Sequence, residues 1–183
     1  MGHWKAASSW VLSYDGKSMA KDPNLWSEKE YKDFEIIADW RFPGKPKKMK
    51  WAKTLPSGDD TEEMIEVDDA GDSGIYLRGS SKSQVNMWCR PPGSGEVYGY
   101  RTDKKQPAEV RRGVTPKMKA DKPIGQWNRF HITMKGDRLT VVLNGKLVIE
   151  NAQLPGVPEK GPIALQHHGD QVEFANMFIR ELK

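Results

Sequence analysis

The sequence predicts an all-β fold, two antiparallel sheets packed face to face, and three observations carry that prediction. Apolar and polar residues alternate through many short runs. Seventeen glycines and twelve prolines punctuate those runs, the density of breakers expected of a sandwich with many turns. Residues 127–150 read as a three-strand meander whose second turn is Asn144-Gly145, the strongest two-residue hairpin signal in the chain. No stretch carries the spacing of a convincing helix. With 183 residues one domain is expected, spanning 1–183, able to bury about 70% of its unfolded surface without a disulfide or metal staple.

Taken in order, Trp10–Lys17 reads as a strand closing in an Asp15-Gly16 turn. Asp22-Pro23-Asn24 is a turn, and Leu25-Trp26 opens another extended piece. Ser27–Glu30 fits either one helical turn capped by Ser27 or a polar loop. From Tyr31 the period is two, with Phe34, Ile36, Ala38 and Trp40 on one face and Glu35, Ile37, Asp39 and Arg41 on the other. Pro43-Gly44 ends that strand. Residues 43–70 form a charged insertion over the sheet edge, too poor in apolar residues for a core of its own.

The most informative stretch is Gly71–Arg90, two strands joined by a polar turn at Gly79–Ser83. Alternation puts Ile75 and Leu77 on one face and Tyr76 and Arg78 on the other; beyond the turn Val85, Met87 and Cys89 oppose Gln84, Asn86 and Trp88. A second face of planar hydrogen-bonding groups and flat rings suits a sugar, which offers vicinal hydroxyls and an apolar C–H surface. Cys89 shares the parity of Val85 and Met87 and reads as a small buried hydrophobe. Glu96–Arg101 looks like a short strand with Tyr98 and Tyr100 together, and 104–123 like a long surface loop with a strand fragment. Ile163–His168 alternates again, Ile163 and Leu165 inward, Gln166 and His168 outward. In 172–182 the parity of Val172 and Phe174 is lost at Met177 and Ile179, and a β-bulge near Asn176 would return both pairs to the core.

Charge excludes more than it assigns. Five lysines within 45–53 are followed by seven acids within 59–69. A basic run with an interleaved Trp51 resembles a nucleic-acid patch, yet the acidic run cancels its field if the two arms lie side by side. Neither nucleic acid nor membrane is expected as a partner, since no apolar run approaches the ~18 residues a span needs. Met1-Gly2-His3 lacks the basic start and hydrophobic stretch of a signal peptide.

Several motifs then occur together and in order: LWSEKEYKDFEI (25–36), SGIYLRG (73–79), GEVYGY (95–100), Trp127-Asn128 with its NGK hairpin, GPIALQHHG (161–169) and EFANMFIREL (173–182). As an ordered set they closely resemble the 3-keto-disaccharide hydrolase family. The resemblance implies a concanavalin A-like jelly roll of two curved sheets, carbohydrate as substrate, and a periplasmic or secreted setting. It also implies a separate sugar 3-oxidoreductase upstream, because this chain has no GxGxxG or GxxxxGK phosphate loop. Three departures stand out. The family's opening strand, resembling FNGKDLxGW, is not found here, which would leave a sheet edge less complete. Gln84 stands where many members carry Glu, and Ala175 stands where FRNI motifs carry Arg.

The implied chemistry acts on a sugar bearing a ketone at C3. That carbonyl acidifies the C2–H, so a base can remove it and the oxygen on C1 leaves by β-elimination, after which water adds back. Such a route needs a base near neutrality, a donor to the enolate oxygen and a proton for the leaving group. His168 is the expected base, the alternative being a strand-end cap. Arg78, a planar fork, is the expected donor, the alternative being an ion pair with Asp39. Asp39 would orient one of them or supply an acid. Gln84, Asn86 and Gln166 would bind hydroxyls, Trp88 and Tyr76 would stack on the ring, and Tyr98 is a candidate proton donor. His167, of opposite parity, reads as structural. No close-spaced metal motif such as HExxH is present, so no cofactor is assigned; a divalent cation stays open through Asp39, Asn86 and His168. The same face without turnover would make a lectin-like binding module. The sugar, its linkage and the oligomeric state are not specified by the sequence.

Overall fold

The computed structural model describes residues 3–17 and 24–183. Thirteen strands and two short helical segments are found among them: β1 (Trp4–Ser8), β2 (Val11–Tyr14), β3 (Leu25–Tyr31), β4 (Phe34–Arg41), β5 (Lys47–Thr54), β6 (Asp60–Asp69), β7 (Asp72–Leu77), β8 (Ser80–Trp88), α1 (Tyr98–Arg101), α2 (Ala108–Gly113), β9 (Asn128–Lys135), β10 (Arg138–Leu143), β11 (Lys146–Gln153), β12 (Gly161–Leu165) and β13 (Val172–Glu181). A seven-stranded sheet runs β1-β2-β13-β4-β9-β10-β11, and a four-stranded sheet runs β3-β12-β7-β8. All their pairings are antiparallel.

The core lies between the two sheets and follows from period-two alternation. Phe34, Ile36, Ala38 and Trp40 of β4 and Phe130, Ile132 and Met134 of β9 meet Ile75, Leu77, Val85 and Met87 of the smaller sheet. The meander β9-β10-β11 turns at Gly136-Asp137 and Asn144-Gly145, with Asn144 itself at φ 53°. The bulge near Asn176 is present: the register of β13 against β4 shifts between Ala175 and Phe178, and Asn176 adopts φ 47°. It restores parity, since Ile179 pairs with core-facing Ile36. It does not restore burial, because Met177 and Ile179 stay exposed along an apolar slot between β3 and β13.

Four local expectations are corrected. Ser27–Glu30 is neither helix nor loop but part of β3, paired with β12. Glu96–Arg101 is not a strand; Tyr98–Arg101 make one helical turn, and α2 falls in the segment expected to be loop. The polar turn of the 71–90 hairpin is Arg78-Gly79 alone, and β8 begins at Ser80. Of the turn at Asp22-Pro23-Asn24, residues 22 and 23 lie outside the described residues.

The charged insertion is itself a hairpin, β5 against β6, with Lys47 opposite Asp69, Lys48 opposite Asp68 and Lys50 opposite Glu66. Basic and acidic arms therefore neutralise one another across the ladder. Its tip is fastened to the helical segments: Arg101 donates to the Gly58 carbonyl (3.1 Å) and Asp60 (2.9 Å), while Lys104 (2.8 Å) and Arg111 reach Asp59. Its base stands over the end of β8, where a cleft opens.

Candidate active site

The cleft lies at the end of the sandwich where β2 and β8 finish, β7 begins, and the β12–β13 connection crosses the base of the β5–β6 hairpin. Its volume is about 630 Å³. Gly71 allows this meeting: a Cβ there would stand 2.8 Å from the Asp170 Cβ and 3.0 Å from the Phe42 ring. Asp170 then accepts the backbone N–H of Asp72 at 3.1 Å, fixing the start of β7 against the turn that carries His168.

Asp72, Arg90 and His168 converge here. Arg90 donates to Asp72, and its guanidinium lies 3.9 Å from the Trp88 ring centroid and 4.2 Å from that of Trp51. Both rings are held by their own N–H groups, Trp51 on Asp69 and Trp88 on the Gly93 carbonyl, each at 2.9 Å. Cation–π contact and tethered rings give Arg90 one orientation. The His168 Nδ1 stands 4.0 Å from the Asp72 carboxylate, and its side chain is 53% exposed to the cleft. Burial pushes the Asp72 carboxyl above its usual range, with Asp170 adding to the effect and His168 and Arg90 opposing it. An aspartate that keeps its proton more readily than usual, beside an imidazole and a fixed cation, has the makings of an acid–base site.

Trp88 joins this cleft to the outer face of the four-stranded sheet, and the parity of the sequence reading holds there. Gln84, Asn86, Trp88, Tyr76 and Gln166 share that face, but all five are buried and only Trp88 among them lines the cleft. Gln84 donates to the Gln166 side chain and to the Ser73 carbonyl (3.3 Å); Tyr76 packs on Trp26 at 5.9 Å, and Tyr98 meets Trp88 edge-on at 5.7 Å. Beyond β8 the segment Gly95–Glu96 continues the face, bonded to Asn86 through both backbone groups. Glu96 is fully buried beside Arg101, and burial raises its carboxyl to about 7 even against that guanidinium.

Two expected site residues lie elsewhere. Arg78 does not face the cleft. The strand ends one residue before it, Arg78 takes φ 52°, and its buried guanidinium bonds Lys32, Gly136 and Pro158 carbonyls and Asp33. It pairs with Asp33 rather than Asp39, and it stands just past the far end of β7 from Asp72, roughly 20 Å away at the rise of a strand. Asp39 lies on the outer face of the seven-stranded sheet, gripped by Arg129 (2.6 and 2.7 Å) and Asn176 (2.7 Å). Burial alone would raise its carboxyl, but those bonds win and hold it low. Asp39, Asn86 and His168 therefore do not form a common cation site. Ala175 pairs with Asp39, so the arginine expected at that position would also lie away from the cleft, on a face where Arg129 already serves Asp39. His167, read as structural from its parity, packs its ring edge-on 4.6 Å from that of Tyr14.

The profile of the 3-keto-alpha-glucoside-1,2-lyase-like domain matches residues 1–180. The chain belongs to that family. Membership makes it a carbohydrate-active domain of the glycosyl-hydrolase kind, with carbohydrate as its partner. No curated protein sequence matches. Among solved structures, two proteins of Parabacteroides distasonis ATCC 8503, each titled a "putative glycosyl hydrolase", share the fold. One superposes with TM-score 0.61 at 19% identity, covering 99% of this chain and 91% of that one; the other gives 0.62 at 16%, covering 99% and 84%. The PL7 alginate lyase AlyA1 from Zobellia galactanivorans follows at 0.50 and 11%, covering 98% and 81%. These likenesses speak for the fold: the domain is a concanavalin A-like jelly roll. No helix among the described residues is long and apolar enough to cross a membrane.

Residues of this family member that sequence reasoning missed are Asp72, Arg90, Trp51 and Glu96. Trp51 was visible as the lone aromatic of the charged insertion. The Glu96–Arg101 pair gives a sharp test. Glu96 holds its proton to about pH 7 when folded, against 4.5 for an ordinary glutamate, so the stability it lends is full at low pH and lost as pH rises from about 4.5 to 7. Removing Arg101 strips the buried carboxylate of its counter-charge and carries that loss to higher pH. Arg101→Ala is expected to cost about 3–5 kcal/mol at pH 8 and clearly less at pH 5, measured by urea unfolding. Equal losses at both pH values would show that Glu96 does not carry the effect.

Proposed function

We propose that the domain cleaves 3-keto-glycosides by elimination and hydration in the cleft between His168 and Arg90. His168 takes the C2 proton while the electron pair passes to the C3 carbonyl as an enolate. Arg90, held against Trp51 and Trp88, donates to that oxygen. The enolate then collapses, re-forming the C3 ketone and a C1–C2 double bond as the C1–O bond breaks. Asp72, whose carboxyl is raised by burial, gives its proton to the departing oxygen. Water adds its hydroxyl to C1 and a proton to C2, completing a net hydrolysis. Gln84, Asn86 and Gln166 lie buried on the adjoining face, outside the lining of the cleft, and a separate sugar 3-oxidoreductase makes the ketone.

The observation that carries this reading is the meeting of an imidazole, a carboxyl above its usual range and a ring-held guanidinium in one open cleft. The purified domain is expected to release the aglycone from a 3-keto-glucoside and not from the unoxidised glucoside, followed by chromatography of the free aglycone. A binding module is favoured by one feature, the Gln84–Gln166 hydrogen bond that occupies a place where a carboxylate would serve. Saturable sugar binding with no release from a keto substrate would select that second reading.

A further inference from the structure

Glu96 is fully buried, yet the elimination chemistry does not use it. It sits where the chain doubles back beside β8. Gly95, at φ 102°, donates to the Asn86 carbonyl at 2.8 Å, and Asn86 donates in return to the Glu96 carbonyl at 2.9 Å. Two residues thus oppose one, a bulge opened by a glycine in the left-handed region. Space also excludes a side chain at position 95, since a Cβ there would stand 2.9 Å from Val148 Cγ2. The pairing leaves Glu96 and Asn86 as cross-strand neighbours on the outer face, with about 5 Å between their Cβ atoms.

Each of these neighbours buries an oxygen without a partner. Glu96 Oε1 accepts from Arg101 Nε, while Oε2 has no donor among the described residues, and neither has Asn86 Oδ1. Two buried acceptors side by side repel, and a single proton satisfies both. A carboxylic acid donates from Oε2 to Asn86 and still accepts from Arg101 on Oε1. The surroundings divide over that proton. Burial, the largest influence, favours it together with Asp60 of β6, whereas Arg101 of α1 and Arg90 beyond β8 oppose it. The Arg101 charge is met elsewhere, because its Nη1 donates to Asp60 at 2.9 Å as well as to the Gly58 carbonyl at 3.1 Å.

We infer that Glu96 is a neutral acid whose proton bridges to Asn86, and that losing this proton slackens the tip of the β5–β6 hairpin. Arg101 joins the sandwich to that tip. Ionised, Glu96 competes with Asp60 for its charge; neutral, it leaves that charge to Asp60. The switch reaches the cleft through Trp51, which the hairpin carries against Arg90. The inference stands on the bulge and the two unmet oxygens, and not on the elimination chemistry at His168.

The test uses the full chain labelled with ¹³C in its glutamate carboxyls, the Glu96 signal being assigned by its loss in Glu96→Gln. That signal is expected to be that of a protonated acid below neutrality and to titrate at about pH 7. In Asn86→Ala the midpoint should fall by about one pH unit, because the acceptor of the neutral form is gone. Glu96→Gln reproduces the acid, its amide donating to Asn86 while its oxygen accepts from Arg101, so it should fold and keep the tip closed at every pH. Tip closure is read from hydrogen exchange at the Leu55 and Gly58 amides, which bond the Asp59 and Leu55 carbonyls at 2.8 and 2.9 Å. Corrected for intrinsic rates, their protection should drop about tenfold across the Glu96 titration in the wild type and not in Glu96→Gln. A carboxylate signal throughout, a Glu96→Gln chain that does not fold, or a midpoint that rises in Asn86→Ala overturns the shared proton. The last would mean that the Asn86 amide is turned over and donates to a carboxylate. Titration as expected with unchanged tip protection overturns the switch and leaves the proton in place. Aglycone release from a keto-glucoside is a separate assay, so its failure bears only on the elimination reading.

Discussion

Arg78→Ala is expected to destabilise the domain by about 3–5 kcal/mol while leaving turnover per folded molecule unchanged. The guanidinium gives its N–H groups to Lys32 O (2.7 Å), Gly136 O (2.7 Å), Pro158 O (3.0 Å) and Asp33 (3.1 Å), and its side chain is 1% exposed. It thereby ties the β3–β4 turn, the β9–β10 turn and the connection before β12 at one point. Asp33 closes the knot by accepting the Gly136 N–H at 2.8 Å. Truncation leaves three carbonyls and a carboxylate facing a void, and it is the unmet groups, more than the lost bonds, that set the cost. Backbone packing offers no slack: a Cβ on Gly161 would lie 2.5 Å from the Arg78 carbonyl, so β12 already touches this turn. Arg78→Lys should recover less than half of the loss, because a single ammonium nitrogen cannot stand where Nε, Nη1 and Nη2 each meet their acceptors. Urea denaturation gives the stability, and keto-glucoside turnover below the unfolding transition gives the rate. Unchanged stability with abolished turnover would return Arg78 to the chemistry.

The same residue shows where the sequence stopped being legible. Alternation along 71–77 and 84–88 was readable because a strand in a sandwich must put every second side chain into the core, and Ile75, Leu77, Val85 and Met87 do lie there. It extended correctly to Gln84, Asn86, Trp88 and Gln166. At Arg78 the backbone crosses to positive φ, and beyond the last ladder residue parity no longer tells which way a side chain points. Tyr98 and Tyr100 failed for a related reason: over four residues, spacing alone cannot separate a strand from one helical turn. The bulge at Asn176 was visible as a broken parity, yet the exposure of Met177 was not, since it depends on how far the smaller sheet reaches. The cleft itself was least accessible. Asp72, Arg90 and His168 come from the start of one strand, the end of the next and a connection some eighty residues on, and Trp51 arrives from a hairpin outside both sheets. Their meeting is a property of strand order, which no local pattern encodes.

The largest effect on activity is expected from His168→Ala, a fall of about 10²–10⁴-fold in aglycone release from a 3-keto-glucoside, the range for losing a positioned general base. Stability should hardly move, because the ring is half exposed and its contact with Asp72 is 4.0 Å long. Asp72→Asn separates the roles further. Burial raises the Asp72 carboxyl, so the folded protein keeps that proton above the pH at which the unfolded chain loses it. Stability contributed this way is complete at low pH and lost as pH climbs from the ordinary aspartate range through the raised value; an asparagine has no such dependence. If Asp72 also protonates the leaving oxygen, the wild-type rate should decline over its folded titration, and Asp72→Asn should lower the rate and remove that limb. A leaving group that needs no protonation, such as a nitrophenolate, should rescue Asp72→Asn but not His168→Ala, since departure is eased while C2–H abstraction is not. Rescue of both variants by the same substrate would mean that neither residue touches the C2 proton, and the base would have to be sought elsewhere, with buried Glu96 beneath the hairpin the next carboxyl to change.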